Sequence, residues 1–230
     1  MEISGQWRPD GAKSWQVWEG ARDIPKPGVV WLMILEANWE RAIDEPQYAF
    51  ADMLEEFFTM ALARHVQVRK RAFHDETDLR RFCGKVKYLA EPVVLLISSH
   101  GTEKGISASG DTIGPDVLAD TLSGASNLKL LHLSGCAMMS GDFPKQVHQR
   151  VKDATFPISG YKTTVAWDAS ALGDFTYLSM LLIRKMDPAR AVKQAKLVSP
   201  YLGDKRIRGA AFKPLGLSLV LPPSEVAEEK

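Results

Sequence analysis

The sequence predicts an α/β domain: a mainly parallel sheet flanked by helices on both faces. Two observations carry this. Short, nearly continuous apolar runs recur at Val29 to Glu36, at Pro92 to Ser98 and at Leu128 to Leu133. Such runs are too short for helices and suit strands buried on both faces. Apolar stripes at helical spacing stand between them, so strand and helix alternate four times, the pattern of parallel strands joined by right-handed crossovers.

Residues 1–28 are polar, broken by prolines and glycines, and carry Trp7, Trp15 and Trp18. They read as an arm whose indoles pack on the domain or meet a regulatory partner. Val29 to Glu36 is the first strand. Residues 46–64 form a helix opened by Pro46, with Phe50, Met53, Leu54, Phe57, Phe58 and Ala61 on its apolar face. His65 to Phe73 alternates as an edge strand. Asp75 caps a helix that carries Leu79, Phe82, Cys83 and Val86 on one stripe. After the 92–101 strand, Thr102 to Gly114 is rich in Gly, Ser and Asp and suits a small hairpin. Pro115 to Leu122 is a short helix, and the Leu128 strand follows. Residues 144–153 suggest a polar helix, and 155–165 a strand or a bent pair. Asp168 opens a helix with Leu172, Phe175, Leu178, Leu181 and Leu182 buried. Asp187-Pro188 opens the last helix, and Leu215 to Leu221 is the last strand. The domain spans 29–223, and a charged tail covers 224–230.

Composition narrows the function. In 230 residues, 45% are apolar and 25% charged, enough for a sizeable core. The formal net charge of +1 gives no general attraction to nucleic acid or to acidic membranes. Two cysteines, Cys83 and Cys136, make neither a disulfide framework nor a metal motif, so no metal or other cofactor is expected. The first residues lack a basic-then-apolar leader and no apolar run reaches membrane length, so the expected location is cytoplasmic. No GxGxxG or phosphate-binding loop follows the first strand, where EANWERAID stands, and no GxSxG occurs.

Two strands end in reactive side chains. VVLLISSHG ends in His100-Gly101, and LKLLHLSGC ends in Gly135-Cys136. Ligands of open parallel sheets bind beyond the carboxyl ends of strands. Only a short helix separates these two strands, so they are expected to be adjacent, about 4.8 Å apart. An imidazole beside a thiol takes its proton for attack on a carbonyl and returns it to the leaving amine. The amides of Gly101 and Cys136 are the expected oxyanion donors. Cys83, on its helical stripe, reads as core. His132 reads as packed within its strand, and His65, His74 and His148 have no comparable placement. Glu36 and Glu40, after the first strand, are further pocket candidates.

An apolar strand ending in His-Gly, followed by one ending at Cys, resembles the caspase-like cysteine peptidases: caspases, metacaspases, separase and the CHAT proteases. The resemblance covers roughly Val29 to Arg184. It implies His100 as general base and Cys136 as nucleophile. Ser134-Gly135-Cys136 departs from the QAC sequence of caspases proper and is similar to CHAT and separase sequences. FPISGYKTTVAWDASALGDFTYLSMLL is similar to the CHAT segment in which a strand leads through Trp and Asp into a helix. In that branch the matching acidic residue lines the pocket for a basic side chain, which would be Asp168 here; as a helix N-cap the same residue needs no ligand. About 20 residues separate Cys136 from the next strand, a short connection that argues against activation by excision of a long linker. The expected function is therefore a cysteine endopeptidase acting on protein substrates after Arg or Lys, within a bacterial defence or cell-death system. The alternative is a catalytically silent scaffold that binds a partner protein.

Overall fold

The computed structural model describes residues 29–37, 50–62, 65–152, 154–206, 208 and 213–223. The tryptophan arm, Glu40, Pro46 and the charged tail lie outside the described residues. The elements are β1 (Val30–Ala37), α1 (Phe50–Leu62), β2 (Val66–Phe73), α2 (Glu76–Cys83), β3 (Val93–Ser98), β4 (His100–Thr102), β5 (Gly105–Ala108), β6 (Asp111–Ile113), α3 (Pro115–Leu122), β7 (Leu128–Ser134), α4 (Phe143–Arg150), β8 (Ile158–Tyr161), α5 (Trp167–Leu178), α6 (Pro188–Val198) and β9 (Leu217–Val220).

The main sheet runs β2-β1-β3-β7-β8-β9. Its pairs are parallel from β2 to β8, and β9 closes the far edge antiparallel to β8. All six residues of β3 are buried, as a central strand covered on both faces requires. Successive side chains on a strand point to opposite faces, and the core divides accordingly. Trp31, Met33 and Leu35 of β1 join one layer, packed under α2, α3 and α4. Leu32 and Ile34 join the other, packed under α1, α5 and α6.

Most helix starts follow the sequence signals. Asp75 accepts the amide of Asp78 at 2.9 Å, and Asp187 that of Arg190 at 2.9 Å. Pro115 and Pro188 occupy first-turn positions, where a missing N–H costs nothing. Some faces differ from expectation. Met53 and Phe57 of α1 are 44% and 37% exposed, and the buried set is Phe50, Ala51, Leu54 and Phe58. On α5, Leu172 is 50% exposed. The buried face there is mostly small: Ala169, Ser170, Ala171, Gly173 and Asp174, followed by Tyr177 and Leu178. Small residues let α5 approach the sheet closely: a Cβ on Gly173 would lie 2.6 Å from the Tyr161 hydroxyl.

Residues 100–113 form a second sheet, β4-β5-β6, an antiparallel meander rather than a lone hairpin. Its last turn puts Ser109 and Gly110 at φ +50° and +88°, the left-handed pair of a tight hairpin. In β7 the register against β3 shifts between Val93 and Val94: Val93 pairs with Leu128 and Val94 with Leu130. Lys129 is the extra residue and is exposed, so the bulge lets Leu128 and Leu130 both stay buried. Cys83 is fully buried in the core, which pushes its thiol up to about 12 and leaves it inert. Among the described residues no helix is long and apolar enough to cross a membrane.

Candidate active site

β3 and β7 are neighbours, and Ser98 lies in register with Ser134. Beyond that pair the two chains stay in contact. The Ser99 amide donates to the Ser134 carbonyl at 3.2 Å. A Cβ on Gly135 would lie 2.9 Å from the Ser99 carbonyl oxygen. A Cβ on Gly101 would lie 3.1 Å from the Cys136 carbonyl and 2.6 Å from Met138 Cγ. The glycines after His100 and before Cys136 therefore let the two strand ends close on each other. Gly135→Ala must displace a backbone carbonyl, so it is expected to cost about 1–3 kcal/mol in chemical denaturation. A variant as stable as the parent would show that the strand ends do not abut.

The loop after Cys136 is fastened to the neighbouring strand. Ala137 and Met139 donate their amides to the carbonyls of Thr163 and Tyr161 at 2.9 and 3.0 Å. Ala137 itself sits at φ +54°, a left-handed conformation that alanine rarely adopts. That local strain lies next to Cys136. Cys136 is half-buried. Its Sγ accepts the Val165 amide at 3.5 Å and lies 3.7 Å from the Val165 carbonyl.

His100 and Cys136 line one cleft of about 200 Å³, with Gly135 between the strand ends. Val165 and Trp167 form its apolar wall, and Ser99, Ser134 and Ser170 supply hydroxyls. A wider depression of about 700 Å³ adjoins it through Val165, lined by Thr163 to Ala166, Asp204 and Leu215 among others. The segment after β8 thus leaves the sheet instead of extending it, and runs between the two hollows. Among the described residues, no group of three His, Cys, Asp or Glu side chains could hold a metal ion.

The remaining sequence candidates fall outside the cleft lining. Asp168 is exposed in the first turn of α5, where its Oδ1 accepts the Ala169 amide at 2.8 Å. It is not the N-cap, a position held by Ala166. Glu36 accepts the Ala51 amide at 3.2 Å, at the start of α1. His148 is buried, with Nε2 donating to the Phe156 carbonyl at 2.9 Å; burial holds its pKa below the ordinary value.

The sequence reading missed a buried polar network beside β7, the strand that leads to Cys136. Asp174 of α5 is wholly buried. Its Oδ1 accepts His132 Nε2 at 2.7 Å and the Tyr161 hydroxyl at 2.5 Å, and its Oδ2 accepts the Ser134 hydroxyl at 2.5 Å. His132 Nδ1 lies 2.8 Å from Ser159 Oγ. Burial and Asp174 together hold the Tyr161 phenol well above its ordinary pKa, so it stays a donor. Ser159, His132 and Asp174 stand in the order of a hydrolytic triad, but all are sealed from solvent and closed to substrate. The signal was present: Asp174 shares the inward face of α5 with Ala171 and Leu178, one turn away on either side.

No family model matches the sequence, and no curated protein matches it. Among solved structures, the chain is similar to pro-Sf-caspase-1. The TM-score is 0.57 at 9% identity, over 84% of this chain and 86% of that one. The chain has a caspase-like fold. The mainly parallel sheet with helices on both faces agrees with it.

Proposed function

We propose that this caspase-like chain is a cysteine endopeptidase that cuts protein substrates after a basic residue. One observation carries the reading: adjacent central strands of a caspase-like sheet deliver His100 and Cys136 to a single cleft. His100 takes the Cys136 proton, and the thiolate attacks the scissile carbonyl. The amides of Gly101 and Cys136 hold the oxyanion. The tetrahedral intermediate collapses as the C–N bond breaks, and His100 gives its proton to the leaving amine. Water, deprotonated by His100, then attacks the thioester. The carboxylic acid leaves and the thiol is restored.

Asp168 belongs to this reading as a charge on the rim. It stands next to Trp167, which lines the cleft, and an exposed carboxylate there draws basic segments toward the entrance. The similarity to CHAT sequences supports a place in a bacterial defence or cell-death system, with a regulatory protein as partner.

The test is incubation with a peptide library beside Cys136→Ala, with cleavage sites mapped by mass spectrometry. Cuts after Arg or Lys that vanish in Cys136→Ala are expected. Asp168→Ala is expected to weaken them by roughly two- to fivefold at low salt and less at high salt. Cleavage that survives Cys136→Ala would remove the nucleophile assignment. A chain that cuts nothing and still binds a protein partner would be the scaffold.

A further inference from the structure

Basic side chains gather beside the cleft. Residues 196–213 hold Lys196, Lys205, Arg206, Arg208 and Lys213 against the single acid Asp204, in a chain whose net charge is +1. Both oxygens of Asp204 are already taken: Oδ1 lies 3.6 Å from Lys162 Nζ and Oδ2 lies 3.3 Å from Lys196 Nζ. Arg206 and Lys213 are exposed, and among the described residues no acid pairs with either. Both line the depression of about 700 Å³ that adjoins the cleft. Apolar side chains complete its lining, with Ala169 and Leu215 buried beneath it. Its walls are tied to one another. Thr163 Oγ1 donates to the Pro214 carbonyl at 2.8 Å, and the Leu215 and Gly216 amides donate to the Tyr201 and Gly203 carbonyls at 2.8 and 3.0 Å. The hollow is thus formed before a ligand arrives, as binding pockets generally are. The start of α5 divides it from the cleft: Ala166 and Ala169 line the depression, Trp167 and Ser170 the cleft, and Val165 lines both. Asp168 lines neither.

We infer that the depression is a second recognition site, which takes an acidic stretch of the same substrate chain two to four residues from the scissile bond, with Arg206 and Lys213 holding its carboxylates. This rests on the peptidase reading. A chain whose scissile carbonyl sits at Cys136 and that passes the shared wall at Val165 enters the depression next. Two to four extended residues carry it about 7–13 Å, far enough to place a side chain there. The two methylenes of a glutamate cover the apolar lining while its carboxylate reaches the rim. Arg206 can grip that carboxylate through two N–H groups, and Lys213 adds a point charge. A basic stretch would meet two cations, and the one acid in the lining, Asp204, is already held by two lysines. A nucleic-acid strand fits less well, because no aromatic side chain lines the depression for a base to stack on. The preferred substrate is therefore bipolar, basic at the bond and acidic beside it.

The experiment uses fluorogenic peptides with Arg before the scissile bond and Glu, Gln or Lys two to four positions away, on one side of the bond or the other. They are tested on the full chain, on the double variant Arg206→Glu/Lys213→Glu and on Cys136→Ala, at low and high salt. The Glu peptide is expected to show a KM roughly tenfold below that of the Gln peptide, on one side of the bond only, with the gap closing at high salt. In the double variant the order of the Glu and Lys peptides should invert while the melting temperature stays close to the parent's, since neither side chain has a partner in the fold. A merely structural effect would not swap the preference. Equal KM for Glu and Gln peptides on both sides, or a Glu advantage that survives the charge reversal, overturns the inference and leaves the peptidase standing. Fluorescence anisotropy of a labelled Glu peptide on Cys136→Ala reads the site without turnover. Binding that the two charge reversals abolish supports it, and binding no tighter than that of the Gln peptide overturns it. A short oligothymidylate that binds more tightly than the Glu peptide and displaces it also overturns it, in favour of a nucleic-acid surface. Charge-dependent binding of the Glu peptide with no cleavage of any peptide overturns the peptidase reading and keeps the acidic site.

Discussion

Asp174→Ala is expected to destabilise the fold by about 3–5 kcal/mol, the cost of breaking a buried charged network from one side. Three donors converge on that carboxylate: His132 and Ser134 from β7, and Tyr161 from β8. Removing it leaves all three buried with nothing to accept them. It also unties α5 from two sheet strands and opens a void beneath the cleft. Natural domains hold only about 5–15 kcal/mol in total, so the variant should unfold at markedly lower urea. Asp174→Asn keeps one acceptor oxygen and should fall between. Tyr161→Phe, which removes a single donor, should cost only about 1 kcal/mol. An alanine variant within about 1 kcal/mol of the parent would show that the carboxylate is not the hub of this network.

The fold was legible because its core strands obey one rule. Val30 to Leu35, Val93 to Ile97 and, His132 apart, Leu130 to Leu133 are apolar on both faces, as strands of a covered parallel sheet are. Helix starts were legible where a cap or proline stood at the first turn, as at Asp75, Pro115 and Asp187. Helix faces were less so. On α5, hydrophobicity pointed to Leu172, but the close approach to Tyr161 excludes large side chains and turns Ala169, Gly173 and Asp174 inward instead. Size, not apolarity, decided that face. The bulge at Lys129 was hidden because a continuous run carries no alternation to reveal a slipped register.

The closeness of His100 and Cys136 was legible for a different reason: each stands two residues past the end of one of two adjacent central strands, and that is a topological property. The pocket was not. Asp168 drew attention through its sequence neighbours, whereas the chemistry beneath the cleft comes from Ser134, Ser170 and Asp174, brought together by packing 40 residues apart in the case of Ser134 and Asp174. Individually these read as a strand terminus, a helix residue and an acid on an apolar stripe. Only contact shows that one takes the other's proton.

His100→Ala is expected to lower kcat for peptide cleavage by about 10²–10⁴-fold, the range for loss of a general base. The side chain is exposed at the start of β4, outside both core layers. Its removal should therefore change stability by no more than about 0.5 kcal/mol. That separation identifies a chemical role. Two other histidines give the contrast. His132 and His148 are buried with fixed partners, so substituting either should lower the melting temperature first and activity only as a consequence. Because the place vacated by His100 opens to solvent, added imidazole should restore part of the turnover in His100→Ala and none in Cys136→Ala. A His100→Ala variant that cuts at the parent rate would assign the proton transfer to another group, and the cleft would then have to be read from Cys136 alone.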